Sequence, residues 1–402
     1  MLLGYINPIF RRRVLRKVSA AVSGRTSASL KYPSRRISSI RISRAVTPLP
    51  HNFNQKESHP VVKKGELYNG CYETLRNIGC GRYSTVWSVR DRRTEEELVM
   101  KVLVSSLTDN KLGPDEAGVM TILRNGNPKS PGKNHVCQLL DSFIHSGPTG
   151  RHLCLILEPL GLSIHDIYRS FSLSLPLILV QRIANHVLQG LQYIHECGVI
   201  HTDIKADNIM MTGTGFPAEQ STMELEIAEL FSNRYKLTDF GSANTMSRQW
   251  AAVIQPLALR SPEVLIDAPW DTKVDIWNFG CLMYEFARGA ALFDPTWQNN
   301  ETGMDTTQTH LAQIAGLLGE FPVEFLKQGK KTPDYFDTNG KLLCPGKYNI
   351  TLSDLLVRGG HPPEDLPPFI DFLSHTLTIN PQARWSASQL LKHPWMQNTI
   401  DF

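Results

Sequence analysis

Seven cysteines stand at positions 71, 80, 137, 154, 197, 281 and 344 of the 402 residues, and no two form a Cys-x-x-Cys pair. An odd, scattered set argues against a disulfide scaffold or a zinc site and for a reducing compartment. No stretch offers the roughly eighteen uninterrupted apolar residues that cross a bilayer, so no transmembrane segment is expected. Acidic residues are absent from residues 1–50, which carry eleven Lys and Arg. The rest of the chain holds 31 basic against 38 acidic residues, a balance of −7 beneath the overall +4. An acidic body with a basic tail is not the footprint of a nucleic-acid binder, and it is compatible with basic peptide substrates.

The tail supports three readings. On a helix, FRRRVLRKVSAAV sets Phe10, Val14, Val18 and Ala21 on one face with Arg12 and Arg16 opposite, the composition of a mitochondrial transit peptide. It reads equally as a disordered basic arm. SRRISSIRISR, where serines follow arginines, reads as a phosphorylatable segment. Pro48, Pro50 and Pro60 mark a linker. Residues 1–66 are therefore taken as an extension, with folding expected to begin near Tyr68.

LRNIGCGRYSTVWSVRD breaks at Gly79 and Gly81 between β-forming runs, a hairpin whose turn glycines let backbone approach a phosphate. Alone, it reads equally well as a plain β-turn. ELVMKVLV then places Lys101 between Met100 and Val102 in an apolar strand, where an ammonium needs an anionic partner. Glu116, in the helical segment GPDEAGVMTILRN, can be that partner or a routine helix glutamate. HVCQLLDSFIH and HLCLILEPLG are strands around a Gly-Pro-Thr-Gly turn, and the second ends in a connector, Glu158-Pro159-Leu160-Gly161. ILVQRIANHVLQGLQYIHECG has helical spacing and a glycine stop. HTDIKADN and KLTDFGSAN follow, and their Asn208 and Asp239 are hard oxygen ligands of the kind Mg²⁺ takes.

These parts, in this order, resemble the eukaryotic protein kinase signature set over roughly residues 68–398. SPE (Ser261-Pro262-Glu263), DIWNFG with Asp275, and NPQARW with Arg384 extend the match. HTDIK, STVW with Ser84 at the third glycine position, LFDP and HLAQIAGLLGEFP narrow it to the SR-protein kinase family, as a short divergent member. The resemblance implies a bilobal α+β fold, with a β-rich N-lobe over 67–159 and a helical C-lobe over 160–398. It also implies a monomer in cytoplasm and nucleus, ATP and Mg²⁺ as cofactors, and basic Arg/Ser-containing protein substrates, with a role in regulating mRNA splicing.

By the same resemblance, Ile78, Gly79, Cys80, Gly81 and Val86 surround ATP. Lys101 holds its α- and β-phosphates and Glu116 fixes the lysine. Glu158 and Leu160 offer main-chain groups to adenine, with Leu157 behind. Asp203 takes or orients the acceptor hydroxyl's proton, Lys205 neutralises the γ-phosphate and points to Ser/Thr acceptors, and Asn208 and Asp239 bind metal. Arg384 pairs with Glu263.

Departures from the pattern carry their own expectations. Thr202 replaces the arginine that engages a phosphorylated activation loop, which implies activity without that phosphorylation. Pro256 stands where a threonine bridges the catalytic Asp and Lys. Gln308, Thr309 and Gly316 replace docking-groove acids, which speaks against processing of long Arg-Ser repeats. Cys80 reads as a small turn residue, and His201 as a support for the loop backbone. Met210, Met211, Trp277, Trp385 and Trp395 read as core. The alternative function is a pseudokinase scaffold; a small-molecule kinase should lack Glu263, Asp275 and Arg384.

Overall fold

Runs of β-forming residues broken by glycine turns build the first part of the fold. The computed structural model describes residues 39–43, 59–109, 115–170, 174–213, 222–251, 253–297, 303–346 and 350–397. The amphipathic FRRRVLRKVSAAV segment lies outside the described residues. Strand β1 (Ser39–Ser43) precedes β2 (Leu67–Tyr68), β3 (Tyr72–Cys80), β4 (Ser84–Asp91), β5 (Glu97–Leu103), β6 (Leu139–Gly147) and β7 (Gly150–Leu157). Strands β2 to β7 form one antiparallel sheet in the order β2-β3-β4-β5-β7-β6.

The Gly-Pro-Thr-Gly turn closes β6 on β7 through a Gly147–Gly150 pair. One face of the sheet buries Tyr68, Tyr72, Met100, Val102, Cys154 and Ile156. The fold reaches upstream of the expected boundary at residue 67. The Thr74 hydroxyl donates to Lys63 O, and Val62 packs on the Tyr68 cluster, contacts that no periodicity announces. Helix α1 (Ser105–Asp109) precedes α2 (Glu116–Asn125), and Asp115 caps α2 by accepting the Gly118 N–H at 2.8 Å.

Helices dominate from Ile164 onward: α3 (Ile164–Ser170), α4 (Leu177–Glu196), α5 (Ile227–Ser232), α6 (Pro262–Leu265), α7 (Lys273–Arg288), α8 (Thr306–Leu318) and α9 (Pro367–Thr376), with shorter ones between and after. Helix α4 buries Val180, Ile183, Val187, Leu191 and Ile194 at helical spacing. Gly198, at φ 73°, supplies the left-handed turn just beyond its end. Helix α7 crosses α9 so closely at Gly280 that a Cβ there would meet Thr376 Oγ1 at 2.3 Å. Trp277, Met211 and Trp395 are buried in the large core, and Met210 and Trp385 pack against it.

Short strands carry the chemistry-bearing loops between the two bodies. They are β8 (Val199–Ile200), β9 (Ile209–Met211), β10 (Thr222–Glu226), β11 (Tyr235–Leu237) and β12 (Asn244–Thr245). Strand β9 pairs with β11, β8 with β12, and β10 with β1. A sheet-built lobe and a helical lobe give the bilobal α+β architecture that the resemblance implies.

Candidate active site

Lys101 lies mid-sheet, in register with Val86 on β4 and Leu155 on β7. Its ammonium meets Glu116 Oε1 and Oε2 at 2.7 and 2.8 Å and Asp239 Oδ1 at 2.8 Å. Burial alone would depress the Lys101 pKa; the two carboxylates outweigh it and hold the group above the ordinary lysine value. Burial pushes the Glu116 carboxyl up, and Lys101 opposes that. Asp239 moves the other way, to about 2, because the ammonium favours its ionised form more than burial opposes it. Asp239 sits in the left-handed region at φ 60°, with its side chain accepting the Gly241 N–H. A Cβ at Gly241 would stand 3.2 Å from Asp239 Oδ1 and 3.4 Å from Glu116 Oε2, so a side chain there would press on the Asp239 carboxylate.

The loop after β8 is fixed from below by Asp275 in the first turn of α7. Asp275 Oδ2 accepts the His201 N–H and Oδ1 the Thr202 N–H, each at 2.8 Å. His195 Nε2 completes the site at 2.9 Å from Oδ2. His201 accepts the Asp203 N–H on Nδ1, so its proton is on Nε2, which donates to Thr238 O at 2.9 Å. It therefore braces the loop against the strand leading to Asp239. Thr202, at φ 65°, donates its hydroxyl to Ser242 O at 2.7 Å. Asp203 Oδ2 receives Lys205 Nζ at 2.8 Å and Asn208 Nδ2 at 3.0 Å.

Glu158 has a structural duty besides the one expected of it. Its carboxylate takes Lys236 Nζ at 2.7 Å on both oxygens, and its N–H donates to Gln138 O. The Glu158 carbonyl and the Leu160 N–H have no hydrogen-bond partner among the described residues, and both lie on the connector between the lobes. Ile78 and Val86 are half-buried on β3 and β4 beside Gly79 and Gly81. A Cβ at either glycine would meet nothing nearer than 3.6 Å, so the fold itself does not demand glycine there. Burial raises the Cys80 thiol pKa, which does not favour a reactive thiolate.

In front of Asp203 and Lys205 lies a cleft of about 520 Å³ whose far wall includes Trp250, Gln255 and Pro256. Gln255, at φ 70°, donates to Val274 O and Asn278 Oδ1 and accepts from Ser261 N and Oγ. No motif announces the support that Lys236 and Gln255 lend the site, whereas Asp275, singled out in DIWNFG, is the anchor of the catalytic-loop amides. Gln308 and Thr309 serve the fold. Gln308 closes a capping box with Asp305 at the start of α8, and Thr309 is buried.

Elsewhere, Asp371, His375 and His393 bring three possible metal-ligand atoms within 4.8 Å of one another. His393 Nδ1 accepts the Trp395 N–H, which leaves the proton on Nε2 facing Asp371 Oδ2 at 3.1 Å. A metal would have to displace that proton, so the trio reads as a hydrogen-bonded cluster.

The chain matches the protein kinase domain over residues 72–396. It belongs to the protein kinase family. Within that family the kinase is of the SRPK type. It is 30% identical to the serine/threonine-protein kinase SRPK of Physarum polycephalum over 388 residues, covering 86% of this chain and 90% of that one. Protein kinase dsk1 of Schizosaccharomyces pombe is 26% identical over 85% of this chain and 84% of its own. SRSF protein kinase 3 of Mus musculus is 24% identical over 85% and 89%. Among the described residues of the kinase, no helix is long and apolar enough to cross a membrane.

Proposed function

We propose that this serine/threonine kinase transfers the γ-phosphate of ATP to Ser or Thr in basic, Arg/Ser-containing proteins, without needing activation-loop phosphorylation. The observation that carries the reading is the joint placement of Lys101 against Glu116 and Asp239, and of Asp203 against Lys205 and Asn208. Lys101 presents its ammonium to phosphate oxygens while Glu116 prevents it from swinging away. Asp203 orients the acceptor hydroxyl and takes its proton, and Lys205 offsets charge on the moving phosphoryl group. The Glu158 carbonyl and the Leu160 N–H, both without a hydrogen-bond partner among the described residues, would pair with an adenine edge.

The residues fit Mg²⁺. Asn208 spends its amide nitrogen on Asp203, and its Oδ1 takes no hydrogen bond among the described residues. Asp239 Oδ1 is held by Lys101, and Oδ2 has no partner there. One hard oxygen on each is thus available, and bound magnesium would neutralise charge on the phosphates of ATP. Independence from loop phosphorylation is supported by Thr202, whose bond to Ser242 joins the catalytic loop to the segment after Asp239 without an arginine.

Preference for basic substrates is supported by Asp207, exposed within the catalytic loop. Asp207 and the neighbouring Glu285 have no cationic partner among the described residues. Single acceptors near basic residues fit better than long repeats, since Gln308 and Thr309 are committed to the fold. The test is phosphorylation of Ser peptides with and without Arg by phosphatase-treated enzyme, with Asp203→Ala as control. Transfer that ignores arginine overturns the substrate class. No transfer above the control favours the scaffold alternative.

A further inference from the structure

Strand β1 belongs to the basic tail, yet it is paired, and its partner is not the main sheet. It lies antiparallel to β10, in the insertion between the catalytic loop and Asp239. The register is Ser39↔Glu226, Ile40↔Leu225, Arg41↔Glu224, Ile42↔Met223 and Ser43↔Thr222. Successive residues of a strand belong to opposite faces. The register therefore groups Ile40, Ile42, Met223 and Leu225 on one face, and sets Arg41 across from Glu224 on the other. Slipping by one residue would match Arg41 with Leu225 or Met223 and undo both groupings.

The sequence around the two strands is of opposite charge. Residues 35–44 contain Arg35, Arg36, Arg41 and Arg44 and no acid, and residues 212–233 contain Glu219, Glu224, Glu226 and Glu229 and no base. Opposite charges across a strand pair stabilise it and like charges weaken it. A sheet of two strands is marginal by itself, and this one has helix α3 against β1 as its further support, so one charge at the right register position can shift whether it forms.

We propose that the tail strand is a latch docked on β10, and that Ser39 is the phosphorylation site that opens it. Phosphate at Ser39 adds a charge of roughly −1.5 to −2 directly opposite Glu226. Ser43 is opposite the neutral Thr222, so the same modification there has no carboxylate directly across from it. From β10 the chain runs through α5 and β11 into Asp239, which places the latch on the segment that delivers a catalytic-site residue. Ser39 lies between Arg36 and Arg41 and is itself an acceptor of the basic class proposed above; on this point the inference rests on that reading. The transfer breaks the bond from the γ-phosphorus of ATP to the β–γ bridging oxygen and forms one to Ser39 Oγ. ADP leaves, and the hydroxyl proton passes to Asp203.

The test uses the full-length, phosphatase-treated protein and reads amide hydrogen exchange over residues 39–43 and 222–226. Both strands are expected to be protected. Ser39→Glu should speed exchange in both several-fold, Ser43→Glu should leave it near the unmodified rate, and Ser39→Glu with Glu226→Lys should restore protection. Unprotected strands in the unmodified chain, equal effects of the two serine variants, or failure of the double variant to recover would each overturn the latch. Incubation with Mg-ATP followed by mass spectrometry tests the modification. Phosphorylated basic peptides with an unmodified Ser39 sink this inference alone; if neither is phosphorylated, the proposed function falls as well.

Discussion

Arg384 closes on Glu263 through two parallel hydrogen bonds, Nη1 to Oε1 at 2.7 Å and Nη2 to Oε2 at 3.0 Å, with neither side chain more than 1% exposed. The guanidinium also donates to the carbonyls of Lys273, Thr378 and Ile379. A pair this buried adds little over a well-packed apolar one, but removing one partner leaves a charge stranded in the core. Glu263→Leu should therefore lower unfolding free energy by about 3–5 kcal/mol, read from the denaturant midpoint. A loss below about 1 kcal/mol would mean the pair behaves like an exposed one.

Thr202 ties the catalytic loop to Ser242 with one neutral hydrogen bond, where an arginine would wait for a phosphate. Phosphatase-treated enzyme should keep the specific activity of untreated enzyme, and Thr202→Val should reduce it. A large drop on dephosphorylation would show that a modified residue, and not this bond, holds the segment.

Pro256 lines the cleft in front of Asp203 and Lys205 and has no side-chain donor to offer them. Pro256→Thr should supply one more hydrogen bond, of about 1 kcal/mol, and raise kcat about fivefold if the bond forms in the transition state. The same substitution with KM lowered and kcat unchanged would place the effect on substrate binding instead.

The Lys101–Asp239 contact has a defined acid limit. Lys101 holds the Asp239 carboxyl near 2, below its ordinary 3.8. A folded-state pKa lowered in this way gives stabilisation that is complete above the unfolded value and lost as pH falls through the folded one. The Tm difference between wild type and Asp239→Asn should therefore shrink as pH drops from above 3.8 toward 2. A difference that stays constant across that window would show that the pair contributes no pH-dependent stability.

What could be read in the sequence was whatever carries a local signature or a motif in fixed order. The glycine hairpin, Lys101 in its apolar strand, the long helix ending before Gly198 and the Asp239 loop are of this kind. The contact of Arg384 with Glu263 spans 121 residues and was accessible through resemblance alone. Lys236 alternates between Tyr235 and Leu237 with nothing to mark it as buried; its partner Glu158 comes from the inter-lobe connector. Gln255 gave no sign of its left-handed backbone, because its four bonds reach Ser261, Val274 and Asn278, which only tertiary packing brings near. The capping box of Asp305 and Gln308 is legible as Asp-x-x-Gln, whereas the family resemblance marks Gln308 only as the replacement of a docking acid. The tail strand was hidden for the opposite reason: its partner lies in an insertion whose shape no periodicity specifies.

Asp275 anchors two successive loop amides to the first turn of α7, whose Trp277 and Phe279 lie at the centre of the helical lobe. The catalytic loop therefore has no melting transition of its own, since loosening it means giving up a buried carboxylate's partners. Heat inactivation should run together with cooperative unfolding of that lobe, not ahead of it. Catalytic competence in this kinase then serves as a thermometer of its core.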